Sequence, residues 1–295
     1  MRIANTSKIR WQLNKANVRG KLTVKKLLVG HPGTPENYLC NIAKSGGDYN
    51  SPRHRHNFDQ IRLVLDGRVP ITPRRSMKPG QIGYFPEGTP YGPQVDDGIG
   101  WTIMIIQFGG ASGEGFLSAA EAQATKESLS GEGVFEGGVF KRTSGRGKRN
   151  QDSYEVVWER ANGRKLVYPK LRYDAPVIVD PEGFDWSARN RSGVARKNLG
   201  IFTERKTRLE MIGLDGDACW TSQGEKAVQL HFVMRGTGTC NGMKYGRHSL
   251  IESIDGKSWR FRPKRTLNCS ISSCHGFDPP RTAPPNRPRS YPAVR

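Results

Sequence analysis

The sequence predicts an all-β protein built from antiparallel barrels or sandwiches, with few short helices. Short β-favouring runs alternate with turn residues over most of the chain, and each apolar run spans only a few residues. Gly and Pro are frequent, at 35 and 19 of 295 residues. Closing a sheet of many short strands removes its exposed edges, which favours a barrel or a sandwich.

The first strand-rich block extends from Tyr38 to Phe108. Its predicted strands lie, in order, in NYLCNIA, QIRLVLDG, RVPITP, QIGYFPEG and WTIMIIQFGG. One helix is expected after this block, because Ser118 and Glu121 form a capping box at the start of the alanine-rich stretch LSAAEAQATKESL. The Gly residues of SGEG then end it.

Composition divides the rest of the chain. Residues 1–135 hold the first block and the helix, and 136–165 form a Gly-rich and then basic stretch that we interpret as a linker. Short strands and Pro-marked turns are expected to resume from Tyr154, and a second strand-rich domain occupies 166–275. The Pro- and Arg-rich tail at 276–295 has almost no apolar content, so we expect it to be disordered.

The charge of the chain is strongly basic. The net charge of +20 exceeds the magnitude of about 2 to 8 that is usual for small domains. Part of the excess lies in KRTSGRGKRN at 141–150 and in the C-terminal tail, and the rest is scattered among acidic residues. Neither block is interleaved with aromatic residues and the sequence has no DNA-binding motif, so we expect solvated charge and no specific nucleic-acid partner.

The N-terminal segment carries basic residues without the apolar core of a secretory signal. No apolar run approaches the roughly 20 residues that cross a bilayer. We therefore expect a cytoplasmic protein that does not associate with membranes.

Two histidines one residue apart precede an apolar run in PRHRHNFDQIRLVLDG, residues 52–67. Successive side chains of a strand face opposite sides, so His54 and His56 are expected to point the same way. After a short turn, Gln60 and Arg62 can share their face. If that face is a barrel interior, two imidazoles, an amide and a guanidinium converge there.

This pattern resembles the cupin superfamily, whose two motifs are G(X)5HXH(X)3-4E(X)6G and G(X)5PXG(X)2H(X)3N. The first motif is matched by His54, His56, Gln60 and Gly67, with Gln60 in place of the usual glutamate. The second is matched by Gly80, Pro86 and Gly88, with Tyr91 in place of the third histidine and Val95 in place of the asparagine. The resemblance implies two jelly-roll cupin barrels, the first with its motif core at 46–108.

The resemblance also implies a metal site, because cupins usually hold a metal with three histidines and a glutamate. His54, His56, Gln60 and Tyr91 stand at those four positions. A divalent ion (iron, manganese, nickel or zinc) is expected to bind there more weakly than usual, because Gln60 is neutral and a phenol of pKa about 10 binds metals only as phenolate. The alternative is that the histidines hydrogen-bond within a ligand pocket while Tyr91 contributes packing.

Arg62 is the main candidate for substrate binding. An inward guanidinium is costly unless it meets a carboxylate, a phosphate or another anion. An ion pair with Asp59 or Asp66, or a bulge that turns Arg62 outward, explains the residue equally well. Tyr84 and Gln107 are further substrate-binding candidates, although core packing and strand-end hydrogen bonding explain them almost as well.

A weaker copy of the first motif lies in QGEKAVQLHFVMRG. Gln223 and Glu225 take the positions of the two histidines, while Gln229 matches Gln60 and Gly236 matches Gly67. Downstream, the second motif is matched with one residue of slippage by Gly256, Pro263 and Asn268. The repeat predicts a duplicated two-barrel protein, or bicupin, whose second barrel gives structural support or packs in a homodimer.

His231 follows Gln229 on the same predicted face. It is either a further catalytic residue or, as is commoner for a lone histidine on a barrel strand, a satisfied core residue.

Two classes of function follow from the resemblance. Two-barrel cupins include metal-dependent dioxygenases, decarboxylases and isomerases, which implies an enzyme acting on a small anionic or phenolic metabolite in the first barrel. A bound metal would polarise a substrate oxygen or activate dioxygen; in a metal-free variant, His54 is a general base and Tyr91 a general acid. The alternative is a non-catalytic cupin that binds or senses a small molecule, because a fold does not fix a function.

Overall fold

The computed structural model describes residues 1–15, 21–32, 34, 36–110, 112–113, 115–202, 206–222, 227–253, 256–264 and, for the backbone only, 267–276. The predicted positions Gln223 and Glu225 lie outside these residues. The predicted disordered tail also lies outside them, apart from Gly276.

The described chain is mostly β-strand with few short helices, as predicted. The strands of the first half are β1 (Arg2–Ala4), β2 (Gln12–Leu13), β3 (Leu22–Val29), β4 (Tyr38–Ser45), β5 (Asn50–Ser51), β6 (Phe58–Gly67), β7 (Val69–Thr72), β8 (Arg75–Met77), β9 (Ile82–Phe85), β10 (Gln94–Val95) and β11 (Trp101–Gly109). The middle of the chain forms α1 (Ala119–Ser128), β12 (Gly133–Glu136), β13 (Val139–Arg142), β14 (Asn150–Asp152) and α2 (Ser153–Asn162).

The strands of the second half are β15 (Val177–Val179), β16 (Val194–Phe202), β17 (Thr207–Leu214), β18 (Trp220–Thr221), β19 (Ala227–Val233), β20 (Gly238–Cys240), β21 (Met243–Tyr245), β22 (Leu250–Ser253), β23 (Arg260–Pro263) and β24 (Leu267–Gly276). Short 3-10 helices lie at Thr6–Lys8 and Pro181–Gly183. Neither α1 nor α2, the α-helices of the described chain, is long and apolar enough to span a membrane.

The five strands predicted between Tyr38 and Phe108 are confirmed as β4, β6, β7, β9 and β11. The predicted helix is confirmed as α1, and its capping box is present: the Ser118 side chain accepts from the Glu121 backbone N–H, and the Glu121 carboxylate accepts from the Ser118 N–H. The sequence analysis missed β3, which pairs with β4. Two lysines interrupt the apolar residues of β3, which hides it as a strand.

The two large sheets have the same strand order. The first runs β15-β9-β6-β11-β4-β3-β2 and the second runs β1-β22-β19-β24-β17-β16. In both, the motif strand (β6 or β19) lies between two later strands of its own half. Smaller sheets, β5 with β10, β7 with β8, and β18-β23-β20-β21, lie alongside them. We name β2–β11 with β15 the N-terminal barrel, and β16–β24 with β1 the C-terminal barrel.

Each barrel receives an edge strand from the other half of the chain. β15 precedes the C-terminal barrel but pairs with β9, and β1 precedes the N-terminal barrel but pairs with β22. Arg2 of β1 forms an ion pair with Glu252 of β22, and the Tyr38 hydroxyl donates to the same carboxylate at 2.7 Å. Burial raises the pKa of Tyr38 well above its usual value, so the phenol stays protonated and remains a donor. The two barrels are therefore tied together at both edges.

The largest core lies between the two large sheets. It joins side chains of the N-terminal barrel, such as Ile61 and Leu63, to side chains of the C-terminal barrel, such as Leu230 and Phe232. The opposite face of each sheet lines its own barrel interior with a separate apolar cluster. Alternation along β6 therefore decides whether a residue faces the other barrel or the interior of its own.

Ordered elements occupy the segment that we interpreted as a linker. β12, β13 and β14 form a three-stranded sheet, and Phe140 of β13 packs with Val156 and Val157 of α2. The prediction of strands from Tyr154 was wrong, because Ser153–Asn162 is helical. Asp152 caps this helix by accepting from two backbone N–H groups, and Gly163 ends it in the left-handed conformation at φ 64°.

Candidate functional site

The candidate site lies on the face of β6 that points into the N-terminal barrel. Gln60 and Arg62 share this face because side chains two residues apart on a strand point the same way. Gln60 pairs in register with Phe85 of β9 and Gln107 of β11, and Arg62 pairs with Gly83. No bulge turns Arg62 outward within the described part of β6, and the side chain is only 7% exposed.

Arg62 binds two of the residues predicted as metal ligands. Its Nε and Nη2 donate to the side-chain oxygen of Gln60 at 2.9 and 2.6 Å, and Nη2 also donates to the Tyr91 hydroxyl at 2.6 Å. The guanidinium lies over the ring of Phe85, 4.1 Å from its centroid, and 5.0 Å from the centroid of Tyr91. These contacts hold the buried cation in one position.

The alternative explanation of Arg62, an ion pair with Asp59 or Asp66, does not hold. Asp59 lies on the opposite face of β6, where its carboxylate accepts from the Tyr84 hydroxyl at 2.9 Å and from the Glu87 backbone N–H at 2.8 Å. Asp66 is exposed at the end of the strand. Among the residues that the structure describes, no carboxylate pairs with Arg62, so its charge is met only by neutral groups.

Tyr84 does not join the other candidates. Its ring is fully buried between the barrels and stacks on Phe202 with centroids 4.6 Å apart. The reason is strand parity: the neighbouring Phe85, not Tyr84, pairs with Gln60 and faces the N-terminal barrel interior. Gln107 does lie on the interior face, beside Gln60, and it is half-buried.

His54 and Tyr91 are held together by their own backbones. Each donates its N–H to the other's carbonyl, at 3.0 and 2.9 Å, and their ring centroids are 4.4 Å apart. His54 Nδ1 lies 2.8 Å from the Pro52 carbonyl oxygen and 3.0 Å from Ser51 Oγ. A carbonyl only accepts, so Nδ1 carries a hydrogen and donates it to Pro52.

His56 is half-buried and lies two residues before the start of β6. Its ring lies 5.0 Å from that of His54 and stacks on Phe58 at 4.6 Å. Tyr154 of α2 meets His56 edge-on at 5.1 Å and donates to the Asn57 side chain at 2.6 Å. Tyr154 was not predicted from the sequence, since nothing local indicates that a helix residue 97 positions after Asn57 bonds to Asn57 and contacts His56. Phe58 could have been found, because it shares the parity of His56 and Gln60.

A cation–π contact holds the residue next to His56. The Arg55 guanidinium lies 3.8 Å from the ring centroid of Tyr168. Burial, reinforced by the nearby Glu155 carboxylate, raises the pKa of Tyr168 above its usual value. Tyr168 is therefore a neutral phenol next to the Arg55 cation, and the contact packs the loop segment before β6 against Tyr168.

The predicted metal ligands do not fit a metal ion as they are arranged. The imidazoles of His54 and His56 are suitable donors, but the Gln60 and Tyr91 oxygens already accept hydrogen bonds from a cation. A divalent ion among these four groups would lie beside the Arg62 charge. Within the described residues, no group of three or more His, Cys, Asp or Glu side chains is placed to hold a metal ion.

The C-terminal barrel repeats the first site with different chemistry. Gln229 and His231 occupy on β19 the positions of Gln60 and Arg62 on β6, because the same pairing surrounds both strands. Gly236 also matches Gly67, since both have positive φ, 90° and 72°. The described positions of the first half of the repeat, Gln229 and Gly236, therefore agree with the strand register.

His231 is buried in the core, as the commoner of the two predictions had it, but its ring nitrogens make no hydrogen bonds within the described chain. It lies edge-on to Trp220 and Phe261 at 5.4 and 5.2 Å, and neither ring nitrogen has a hydrogen-bond partner in the described part of the chain. Burial, with a smaller contribution from the positive charge of Arg196, lowers its pKa to about 4. His231 is neutral near pH 7.

The second half of the predicted repeat was wrong. Strand β22 corresponds to β9, because each pairs with the motif strand of its barrel. His248 therefore holds the position of Gly80, and it has the same left-handed backbone, at φ 63°. Gly256 and Pro263 lie after β22, and Asn268 lies in β24, the counterpart of β11. The second motif was placed too late because a histidine holds the position of its first glycine, so the next glycine downstream was matched instead.

Comparisons with solved structures identify the fold. A candidate dioxygenase from Nostoc punctiforme has a TM-score of 0.63 at 9% identity, covering 98% of this chain and 87% of that one. Oxalate decarboxylase from Bacillus subtilis has a TM-score of 0.54 at 13% identity, covering 94% and 77%. A candidate glyoxylate-induced protein from Pseudomonas aeruginosa has a TM-score of 0.56 at 8% identity, covering 96% and 90%.

At such identities the likeness shows the fold alone. The chain has the cupin fold in its two-barrel form, as its motifs predicted. No protein-family model matches the sequence, and no curated protein matches it either.

Proposed function

We propose that the N-terminal barrel binds a small anionic molecule, a carboxylate above all, and that Arg62 recognises it. The single observation that carries the proposal is the buried guanidinium of Arg62, held on the interior face by Gln60 and Tyr91. A buried cation costs free energy unless an anion compensates it. No described carboxylate does so, which supports an external anion as the partner.

The donors of Arg62 support the same proposal. A guanidinium has five N–H donors in a planar fork. Nε and Nη2 are engaged by Gln60 and Tyr91, whereas Nη1 donates to none of the described residues. A carboxylate oxygen that accepts from Nη1 would form a charge-assisted hydrogen bond in a site of low dielectric. Phe85 and Tyr91 supply aromatic surface for the rest of a small or phenolic ligand.

The structural neighbours are compatible with such a ligand. Oxalate decarboxylase is named for oxalate, a small dicarboxylate. By analogy, oxalate is a reasonable first probe for this barrel, and 4-hydroxybenzoate tests whether a phenolic carboxylate binds better. The analogy rests on fold alone and guides the choice of probes, not the assignment of a reaction.

The binding test compares Arg62→Met with two control variants, using isothermal titration with oxalate and with 4-hydroxybenzoate. Loss of a charge-assisted hydrogen bond is worth about 1.5 to 3 kcal/mol, so Arg62→Met should weaken binding roughly 10- to 150-fold. Arg68→Met makes the same charge change at an exposed position, and Tyr84→Phe alters the predicted binding residue that faces the other barrel. Both should keep affinity within about twofold. Equal losses in Arg62→Met and Arg68→Met would mean nonspecific attraction to the basic surface.

Acid–base catalysis is the second candidate function, and one observation favours it. His54 Nδ1 donates to the Pro52 carbonyl, and its ring lies against that of Tyr91, whose hydroxyl accepts from Arg62. In this proposal His54 removes a proton from the carbon next to the keto group of a bound 2-keto carboxylate, and the Tyr91 hydroxyl gives a proton to the oxygen of the enolate that forms, as in an isomerase. Proton exchange of small 2-keto acids in D2O, followed by NMR, tests it. Exchange at the wild-type rate in both His54→Gln and Tyr91→Phe would exclude these two residues as the catalytic groups.

A further inference from the structure

We propose that the Arg62 guanidinium replaces the divalent metal ion in this barrel, and that removing it uncovers a metal site built from His54, His56, Gln60 and Tyr91. The inference goes beyond the proposed function, because it concerns metal exclusion and holds whether or not an anion binds. Two of the four residues at the metal-ligand positions, Gln60 and Tyr91, already accept hydrogen bonds from a cation. That cation is the Arg62 guanidinium.

The hydrogen bonds place the Arg62 charge between the side-chain oxygens of Gln60 and Tyr91. Gln60 Oε1 accepts from both Nε and Nη2 of Arg62, and the Tyr91 hydroxyl accepts from Nη2. Amide and phenol oxygens bind hard cations through the lone pairs that they use here as acceptors. A metal ion would therefore compete with Arg62 for these oxygens and would be repelled by its charge in a buried site.

Packing prevents Arg62 from moving aside to admit a metal. The guanidinium lies over Phe85 at 4.1 Å and Tyr91 at 5.0 Å, and the side chain is 7% exposed. Gly83 lies beside Arg62 on β9 and contributes no side chain. A Cβ at this glycine would lie 2.6 Å from the Phe85 ring and 2.9 Å from Met77 Sδ, so the surroundings of Arg62 are tightly filled.

The remaining two residues at the metal-ligand positions are neighbouring imidazoles. The His54 and His56 rings are 5.0 Å apart, and imidazole is a common ligand for divalent metals. In the C-terminal barrel the position of Arg62 is held by His231, which carries no charge near pH 7. A cation at this position is therefore a property of the N-terminal barrel and not a requirement of the fold.

The test measures metal content without any organic ligand. Wild type, Arg62→Ala and Arg62→Met are stripped with a chelator, dialysed against Mn²⁺ or Zn²⁺, and assayed for bound metal by mass spectrometry. We expect wild type to retain less than about a tenth of an equivalent and Arg62→Ala to bind about one equivalent. Adding His56→Ala to the Arg62→Ala chain should remove that metal again. Arg68→Ala, the same change at an exposed arginine, should gain none.

Two results would overturn the inference. One is a full equivalent of metal in wild type that His56→Ala abolishes, because Arg62 and a metal would then coexist. The other is no gain of metal in an Arg62 variant whose circular dichroism matches wild type. Arg62→Met keeps an unbranched side chain over Phe85, so it supplies a folded variant if Arg62→Ala does not fold. Oxalate titration of wild type reports on the proposed function separately, since it needs no metal.

Discussion

The ion pair of Arg2 with Glu252 gives a sharp test of how the exchanged strand β1 stabilises the C-terminal barrel. Glu252 is buried, with its side chain 2% exposed, and accepts from Arg2 and from the Tyr38 hydroxyl. Replacing Arg2 with Met removes the cation but leaves the buried carboxylate. Tyr38 then remains as a donor to it, at 2.7 Å.

The magnitude follows from the burial of the two partners. Breaking a fully buried pair costs about 3 to 5 kcal/mol, whereas an exposed pair is worth about 0 to 1 kcal/mol. The Arg2 side chain is 42% exposed while Glu252 is not, so the pair lies between these limits. We expect Arg2→Met to lower the free energy of unfolding by about 2 to 3 kcal/mol.

Urea unfolding followed by far-UV circular dichroism measures this change, and a double variant identifies its cause. If the cost arises from an uncompensated buried carboxylate, then Glu252→Gln should relieve part of it. Arg2→Met with Glu252→Gln should therefore be less destabilised than the sum of the single variants, by about 1 to 2 kcal/mol. Arg10→Met, an exposed arginine in the same N-terminal segment, should change stability by less than about 0.5 kcal/mol.

The reasoning is refuted if the two single changes add to within about 0.5 kcal/mol, because the carboxylate would then not depend on Arg2. It is also refuted if Arg10→Met is as destabilising as Arg2→Met, since the effect would then come from the net charge and not from the pair.

Two further predictions concern stability. The pKa of His231 falls from 6.5 to about 4 on folding, so on acidification the unfolded chain binds this proton before the folded chain does. The free energy of unfolding should therefore decline by about 3 kcal/mol as the pH falls from 6.5 to about 4. His231→Leu should remove this part of the pH dependence of urea unfolding, and an unchanged slope would show that other groups cause it. Gly67 and Gly80 have φ of 72° and 88°, but a Cβ at Gly67 would lie 2.4 Å from the Gly100 carbonyl oxygen while one at Gly80 would meet nothing within 4 Å. Gly80→Ala should therefore cost about 1 to 2 kcal/mol and Gly67→Ala about 2 kcal/mol more, and equal losses in thermal unfolding would contradict the contact argument.

Local patterns were sufficient for much of the fold. The strands of the first block and the N-terminal cap of α1 could be predicted from nearby residues, because turn residues and the alternation of side chains act over a few positions. The helix α2 was predicted as a strand although its capping signals are also local. Asp152 is its N-cap, Glu155 lies in its first turn, and Gly163 ends it. The aromatic and β-branched residues of YEVVW favoured a strand, and burial of Val156 and Val157 against Phe140 stabilises the helix instead.

The site was predicted in part. Strand parity placed Gln60 and Arg62 on one interior face, but Tyr84, which was predicted to bind substrate, faces the other barrel. The partners of Arg62 were also beyond sequence reasoning. Tyr91 reaches it from 29 residues away, and the Asp59 carboxylate that could have paired with it points to the opposite face.

By itself, the sequence determined the fold class, the two cupin motifs of the first barrel and the residues on the interior face of β6, because these depend on spacing and alternation along one segment. Only the tertiary structure decided which edge strands the halves exchange, that Tyr154 packs against His56, and that Arg62 holds Gln60 and Tyr91. Contacts of this kind join segments far apart in the chain. Their geometry is set by how the sheets pack, which no local pattern records.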